Sequence, residues 1–227
     1  MLAVPEGGQG LLIIACGALA HEIMALKRAS GWTQVDVKCL PAELHNRPER
    51  IPAAVRALIR ASRCHYRSLF VAYADCGTGG LLDAVLEEEG IERRPGAPCY
   101  EFFAGSKLFA ELADAEIGTF YLTDFLLRHF ERLVIRGLGL DKHPELFQSY
   151  FGHYKKLVYL SQAARPEAIE EGRAIAARMG LAYEHRITGY GMLESSLKSA
   201  VARDATAGRD AAAGRDTRRE ESVTWRR

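Results

Sequence analysis

No two cysteines of this 227-residue chain stand at C-x-x-C spacing, and no two histidines at H-x-x-x-H. The short local signatures of a metal site are therefore missing. An excess of one charge is missing too. Thirty basic and 29 acidic side chains leave a net charge of +1, which gives no footprint for DNA or RNA. Long apolar runs are absent: the stretch 10–20 is too short to span a bilayer, and no basic segment leads into it. The chain is accordingly expected to be cytoplasmic, without a signal peptide or membrane partner. Five cysteines, an odd number and widely spaced, favour reduced thiols or metal ligands over a disulfide framework.

What is present is an alternation of strand and helix patterns. LFVAYADCGTGG (69–80) runs from a buried strand pattern into Asp75, Cys76 and a glycine-rich turn, and a helix pattern follows. Similar strand patterns occupy 11–15, 35–39, 119–123, 156–161 and 181–187, with helix patterns between them. Asp124 to Ile135 is expected to be one helix. The fold class that follows is α/β, a mostly parallel sheet flanked by helices. A change of texture near 96 divides it either into two Rossmann-like lobes or into regions of one extended sheet. Residues 1–201 form the ordered α/β part. From 202 to 227, repeated Ala-Gly-Arg-Asp and few large apolar residues point to a disordered C-terminal tail.

Ligands of open α/β sheets sit at the carboxyl ends of strands, so residues placed there carry the chemical expectations. Cys16 ends the first strand, Cys76 ends the third, and Cys99 opens an aromatic segment. If they converge, three thiolates with an open fourth position suit a zinc ion or an iron–sulfur cluster. If they do not, they are ordinary buried cysteines. Gly77, Thr78 and Gly79 present backbone amides at a helix start, as a cofactor-binding anion cradle or simply as a tight turn. The lysine of a P-loop is lacking. His45, Asn46 and Arg47 lie in a polar loop, His45 as a catalytic group and Asn46 and Arg47 as binders of an anionic substrate group. Asp75 and Glu101 are the carboxylates placed to act as acid, base or orienting group. Cys39 reads as core and Cys64 as packing or surface.

Several segments taken in order resemble one family. ACGAL (15–19), LHNRPE (44–49), DCGTGG (75–80), CYEFFAG (99–105), GTFYLTDF (118–125), LGLDKHPEL (138–146), YFGHYKKLVYL (150–160) and TGYGMLE (188–194) resemble the DUF1638 proteins over about residues 11–197. The resemblance implies an association with corrinoid-dependent methyl-transfer systems, and hence one-carbon metabolism. It adds weight to a shared site at Cys16, Cys76, Cys99 and His45. Two functions are then expected. One is a metal-dependent enzyme acting on a small thiol, methyl or acid substrate. The other is a non-catalytic accessory protein that carries or inserts a metal or corrinoid cofactor for a methyltransferase.

Overall fold

A computed structural model describes residues 10–91 and 99–223. Two three-stranded parallel sheets form the frame. The first contains β1 (Leu11–Cys16), β2 (Val35–Leu40) and β3 (Ser68–Ala72), in the order β2-β1-β3. Every residue of β1 is buried, which is why it reads as an unbroken apolar run, while β2 at the edge alternates. The second sheet contains β4 (Thr119–Thr123), β5 (Lys156–Ser161) and β6 (Ala182–Ile187), in sequence order. The chain thus has two α/β units. The expected boundary near 96 lies outside the described residues.

Helices α1 (Ala20–Ala29), α2 (Ile51–Ser62) and α3 (Leu81–Glu88) cover the first sheet. Ile23, Leu26, Val55, Ile59, Leu82 and Leu86 pack with β1 into one core, at the three- and four-residue spacing of buried helix faces. Between the sheets come α4 (Cys99–Ala104) and α5 (Ser106–Ala115). The aromatic segment that Cys99 opens is helical, and it buries Phe102 and Phe103 in the first core.

After β4, the helix expected over 124–135 is interrupted. Helix α6 (Asp124–Arg128) gives way at His129 to a π-helical turn over Glu131–Ile135, in which the Arg136 N–H donates to the Glu131 carbonyl. Such turns insert a residue and re-aim side chains. Asp124 does more than complement the helix dipole. Its buried carboxylate accepts from the Tyr159 hydroxyl and the Gln162 N–H and lies 3.5 Å from Arg165, fastening α6 to β5. The short α7 (Phe147–Phe151) and then α8 (Pro166–Met179) complete the second unit.

Helix α9 (Gly191–Val223) returns to the first sheet, where Leu193, Leu197 and Ala200 join the first core. It starts at a glycine because a Cβ there would meet the Phe103 and Phe102 carbonyl oxygens at 2.3 and 2.4 Å. The helix also crosses the expected tail boundary at 202. Asp204 is 2% exposed and accepts two bonds from Arg67, Nε to Oδ1 at 3.1 Å and Nη2 to Oδ2 at 2.7 Å. The packed part therefore continues past 201. Composition hid this because the anchoring residue is charged, not apolar.

A second ion-pair cluster ties α2 to α3. Glu89 accepts from Arg60 Nε at 2.7 Å and from Arg63 Nη2 at 3.1 Å. Burial by itself would raise the Glu89 carboxyl; the two arginines outweigh it and hold its pKa below the usual range. A carboxyl depressed in the folded state stabilises fully above its unfolded value, about 4.3, and loses that contribution as pH falls through the folded value. Glu89→Gln should therefore flatten the fall of stability below about pH 4.5, measured by urea unfolding across the acid range. An unchanged slope would show that the cluster contributes nothing.

Candidate functional site

The β2-β1-β3 order fixes where a site can form. The connection from β1 runs outward to β2, and the connection from β2 returns across β1 to β3. The carboxyl ends of β1 and β3 therefore flank a switch point, where the loops diverge and leave a crevice. Cys16 is the last residue of β1, and Cys76 lies four residues past the end of β3. Both are buried.

The turn that carries Cys76 is built by Asp75. Its Oδ1 accepts from the Thr78 hydroxyl at 2.7 Å and from the Gly80 N–H at 3.1 Å, and its Oδ2 from the Gly79 N–H at 3.3 Å. The Thr78 bond first, then the Gly80 amide, hold this carboxyl below the ordinary aspartate range. This changes two expectations. Asp75 is committed to the turn and does not line the cavity described below. The amides read as an anion cradle already face an anion, which the chain itself supplies. Gly77 packs beside Pro48, so the polar loop leans on this turn.

Cys76 has φ of +51°, the one non-glycine residue at positive φ among the described residues. Glycine would adopt that conformation at little cost, whereas a side chain costs on the order of 1 kcal/mol. Strain of this kind concentrates at sites where the side chain is used.

The crevice is a cavity of about 300 Å³, and Cys16, Cys76 and Cys99 all line it, with His45 and Asn46. Segments 60 and 23 residues apart are thus brought together. The Cys99 thiol feels the other two. Burial first, then the nearness of Cys76 and of Cys16, pushes the Cys99 thiol far above its ordinary value, and burial likewise raises Cys16. Its surroundings in the cavity lower the pKa of His45 by desolvation, although the residue as a whole is exposed. Tyr73, 1% exposed, holds its hydroxyl beside the Cys16 thiol, close enough to lower that thiol's pKa but outside hydrogen-bond geometry.

The far wall comes from the second unit. Phe120, Phe125, Leu133, Val134, Phe151 and Tyr154 close the cavity with apolar and aromatic surface. Phe120 makes edge contacts with Phe130, Phe151 and Tyr154, with centroids 6.4, 5.6 and 5.9 Å away. Sequence reasoning missed this wall. Its signal lay in the GTFYLTDF and YFGHYKK segments, quoted for their resemblance but not placed in the site.

Other expected site residues lie elsewhere. Glu101 sits on α4 and accepts from the Ser106 hydroxyl at 2.5 Å, outside the cavity lining. Arg47 does not line the cavity either, although its neighbours His45 and Asn46 do. Cys39 and Cys64 are exposed and stand apart from it, Cys39 against the expectation of a core residue. Among the described residues, no three His, Cys, Asp or Glu side chains are set as a group ready to hold a metal ion. No helix among them is long and apolar enough to cross a membrane.

Comparison with curated proteins and comparison with solved structures each gave no match. A family model described as "Protein of unknown function (DUF1638)" matches residues 39–197, a span that takes in His45, Cys76 and Cys99 and begins after Cys16. The chain belongs to the DUF1638 family.

Proposed function

We propose that this chain is a metal-dependent enzyme. Cys16, Cys76 and Cys99 hold zinc or an iron–sulfur cluster at the mouth of β1 and β3, and a small thiol, methyl or acid substrate of one-carbon metabolism enters the adjoining cavity. The observation that carries this reading is that three cysteines from separate segments line one cavity at a topological switch point.

The donor chemistry suits such a group: three soft sulfurs are the ligand type of zinc and of clusters. The partnerless Tyr73 hydroxyl beside Cys16 suits it as well, because a metal-bound thiolate would accept that proton. A bound metal would supply Lewis acidity and keep the thiols deprotonated. The chain's own residues supply the rest. His45, its pKa lowered by desolvation, is placed to take a proton from a substrate in the cavity. The aromatic wall excludes water and positions the substrate.

A second reading, an accessory protein that carries or inserts a metal or corrinoid cofactor for a methyltransferase, is favoured by one observation. The described lining includes one imidazole and no carboxylate, which is sparse for acid–base chemistry. Stable co-purification with a corrinoid protein, and loss of metal to that partner, would select it.

The test is anaerobic purification of Cys16→Ser, Cys76→Ser and Cys99→Ser, with Cys64→Ser as control and zinc and iron assayed in each. The wild type and the control should carry stoichiometric metal, and each of the three variants should lose most of it. A metal-free wild type, or variants that retain metal as the control does, would remove the proposal.

A further inference from the structure

We infer that the cavity selects an uncharged, largely apolar ligand and rejects carboxylates and phosphates. The inference rests on the proposed site and narrows its substrate class, removing the acids from it.

Among the described residues that line the cavity, none is Lys, Arg, Asp or Glu. Its polar groups are the His45 imidazole, the Asn46 amide, the hydroxyls of Thr123, Tyr100, Tyr150 and Tyr154, and the thiols. The remaining surface is aromatic and aliphatic. An anion entering such a space gives up its hydration and meets no cation among the described lining residues, a transfer that costs far more than the same step for a neutral molecule. Two arginines of the second unit are paired with carboxylates of the first. Arg132 donates to Glu43 at 2.5 Å, and Arg128 lies 3.9 Å from Glu22. Arg47, the residue that could have clamped a carboxylate, stands outside the lining.

The selection belongs to the chain's own described lining, which offers an anion no side-chain cation. What the cavity offers is a soft, sulfur-rich floor, an apolar wall and a few neutral donors and acceptors. That combination fits a small methyl thioether, thiol or comparable neutral molecule with one uncharged polar handle.

The experiment compares two probes of matched skeleton, 3-(methylthio)propanol and 3-(methylthio)propionate, on the full-length protein purified anaerobically. Binding is followed by saturation-transfer NMR and quantified by titration at pH 7.5. The alcohol should bind at least tenfold more tightly than the carboxylate. Equal affinities, tighter binding of the carboxylate, or binding of neither probe would overturn the inference. A second arm uses Leu138→Arg, which adds a cation at a half-buried lining position, with circular dichroism to confirm folding. The carboxylate should gain at least tenfold there, and no gain in a folded variant would also count against the inference. Metal content measured on the same samples keeps the two ideas separate. A protein that holds metal through the three cysteines yet prefers the carboxylate refutes the ligand class alone. A metal-free protein that prefers the alcohol refutes the metal site alone.

Discussion

Arg67→Ala is expected to unfold roughly 6–12 °C below the wild type, from a loss of about 3 kcal/mol. The reason is an asymmetry in the Arg67–Asp204 pair. Asp204 is 2% exposed, whereas the Arg67 side chain is 32% exposed. Removing the arginine strands a carboxylate where water reaches it poorly, and breaking a buried pair in that way costs about 3–5 kcal/mol. The lower end applies because the vacated space lies toward solvent. Asp204→Ala leaves the charge on the more exposed partner and should cost only about 1 kcal/mol. Truncation after Val201 should behave like Asp204→Ala or somewhat worse, since it also removes the helical turns that follow. Thermal unfolding of the two point variants decides the matter. Equal and small shifts would mean that the pair is solvated in practice and that α9 is held by Leu193, Leu197 and Ala200 alone.

The second large effect concerns Tyr73. Its hydroxyl is buried beside Cys16, close enough to influence that thiol but outside the geometry of a formed hydrogen bond. In the metal-free protein an orphaned buried donor is a cost, so Tyr73→Phe should leave stability unchanged or raise it slightly. With metal bound, the same hydroxyl would donate to the Cys16 thiolate. Losing an outer-shell partner of that kind typically weakens metal affinity by about 10–100-fold. The expected signature is thus split: metal-free unfolding at the wild-type temperature or above, and a dissociation constant raised at least tenfold in a chelator competition. A residue that merely fills space would move both readings together or neither.

Much of the frame could be read from residue patterns. Thr119–Thr123 and Lys156–Ser161 occupy the strands expected of them, because β-branched and aromatic residues between glycine or proline breaks leave few alternatives. The parallel arrangement followed from helix patterns between strands. The placement of Cys16 at a strand end also followed, since a strand that stops at a cysteine and a glycine turn marks its own carboxyl end, whereas β3 ends four residues before Cys76.

The rest depended on contacts that a linear pattern does not carry. Asp75 looked catalytic because it precedes Cys76, but the direction of a turn side chain is set by where the following amides point, and they point at it. Phe120 and Tyr154 were visibly aromatic. Nothing in their spacing tells whether an aromatic face meets a core or the opposite wall of a cleft. The break after Arg128 leaves no proline or glycine as a marker, so one continuous helix was the natural expectation. Asp204 shows the reverse case, a charged residue buried because its partner lies 137 positions earlier in the chain.

Metal-edge X-ray absorption on the anaerobically purified wild-type protein addresses the central claim most directly, because it counts the sulfur neighbours of whatever metal is bound. A site made by Cys16, Cys76 and Cys99 predicts three protein sulfurs at about 2.3 Å for zinc, with the count falling by one in Cys99→Ser. An iron–sulfur cluster would instead add short iron–iron scattering, with the same dependence on Cys99. A protein without bound metal, or a metal surrounded only by nitrogen and oxygen and indifferent to Cys99→Ser, would contradict the account.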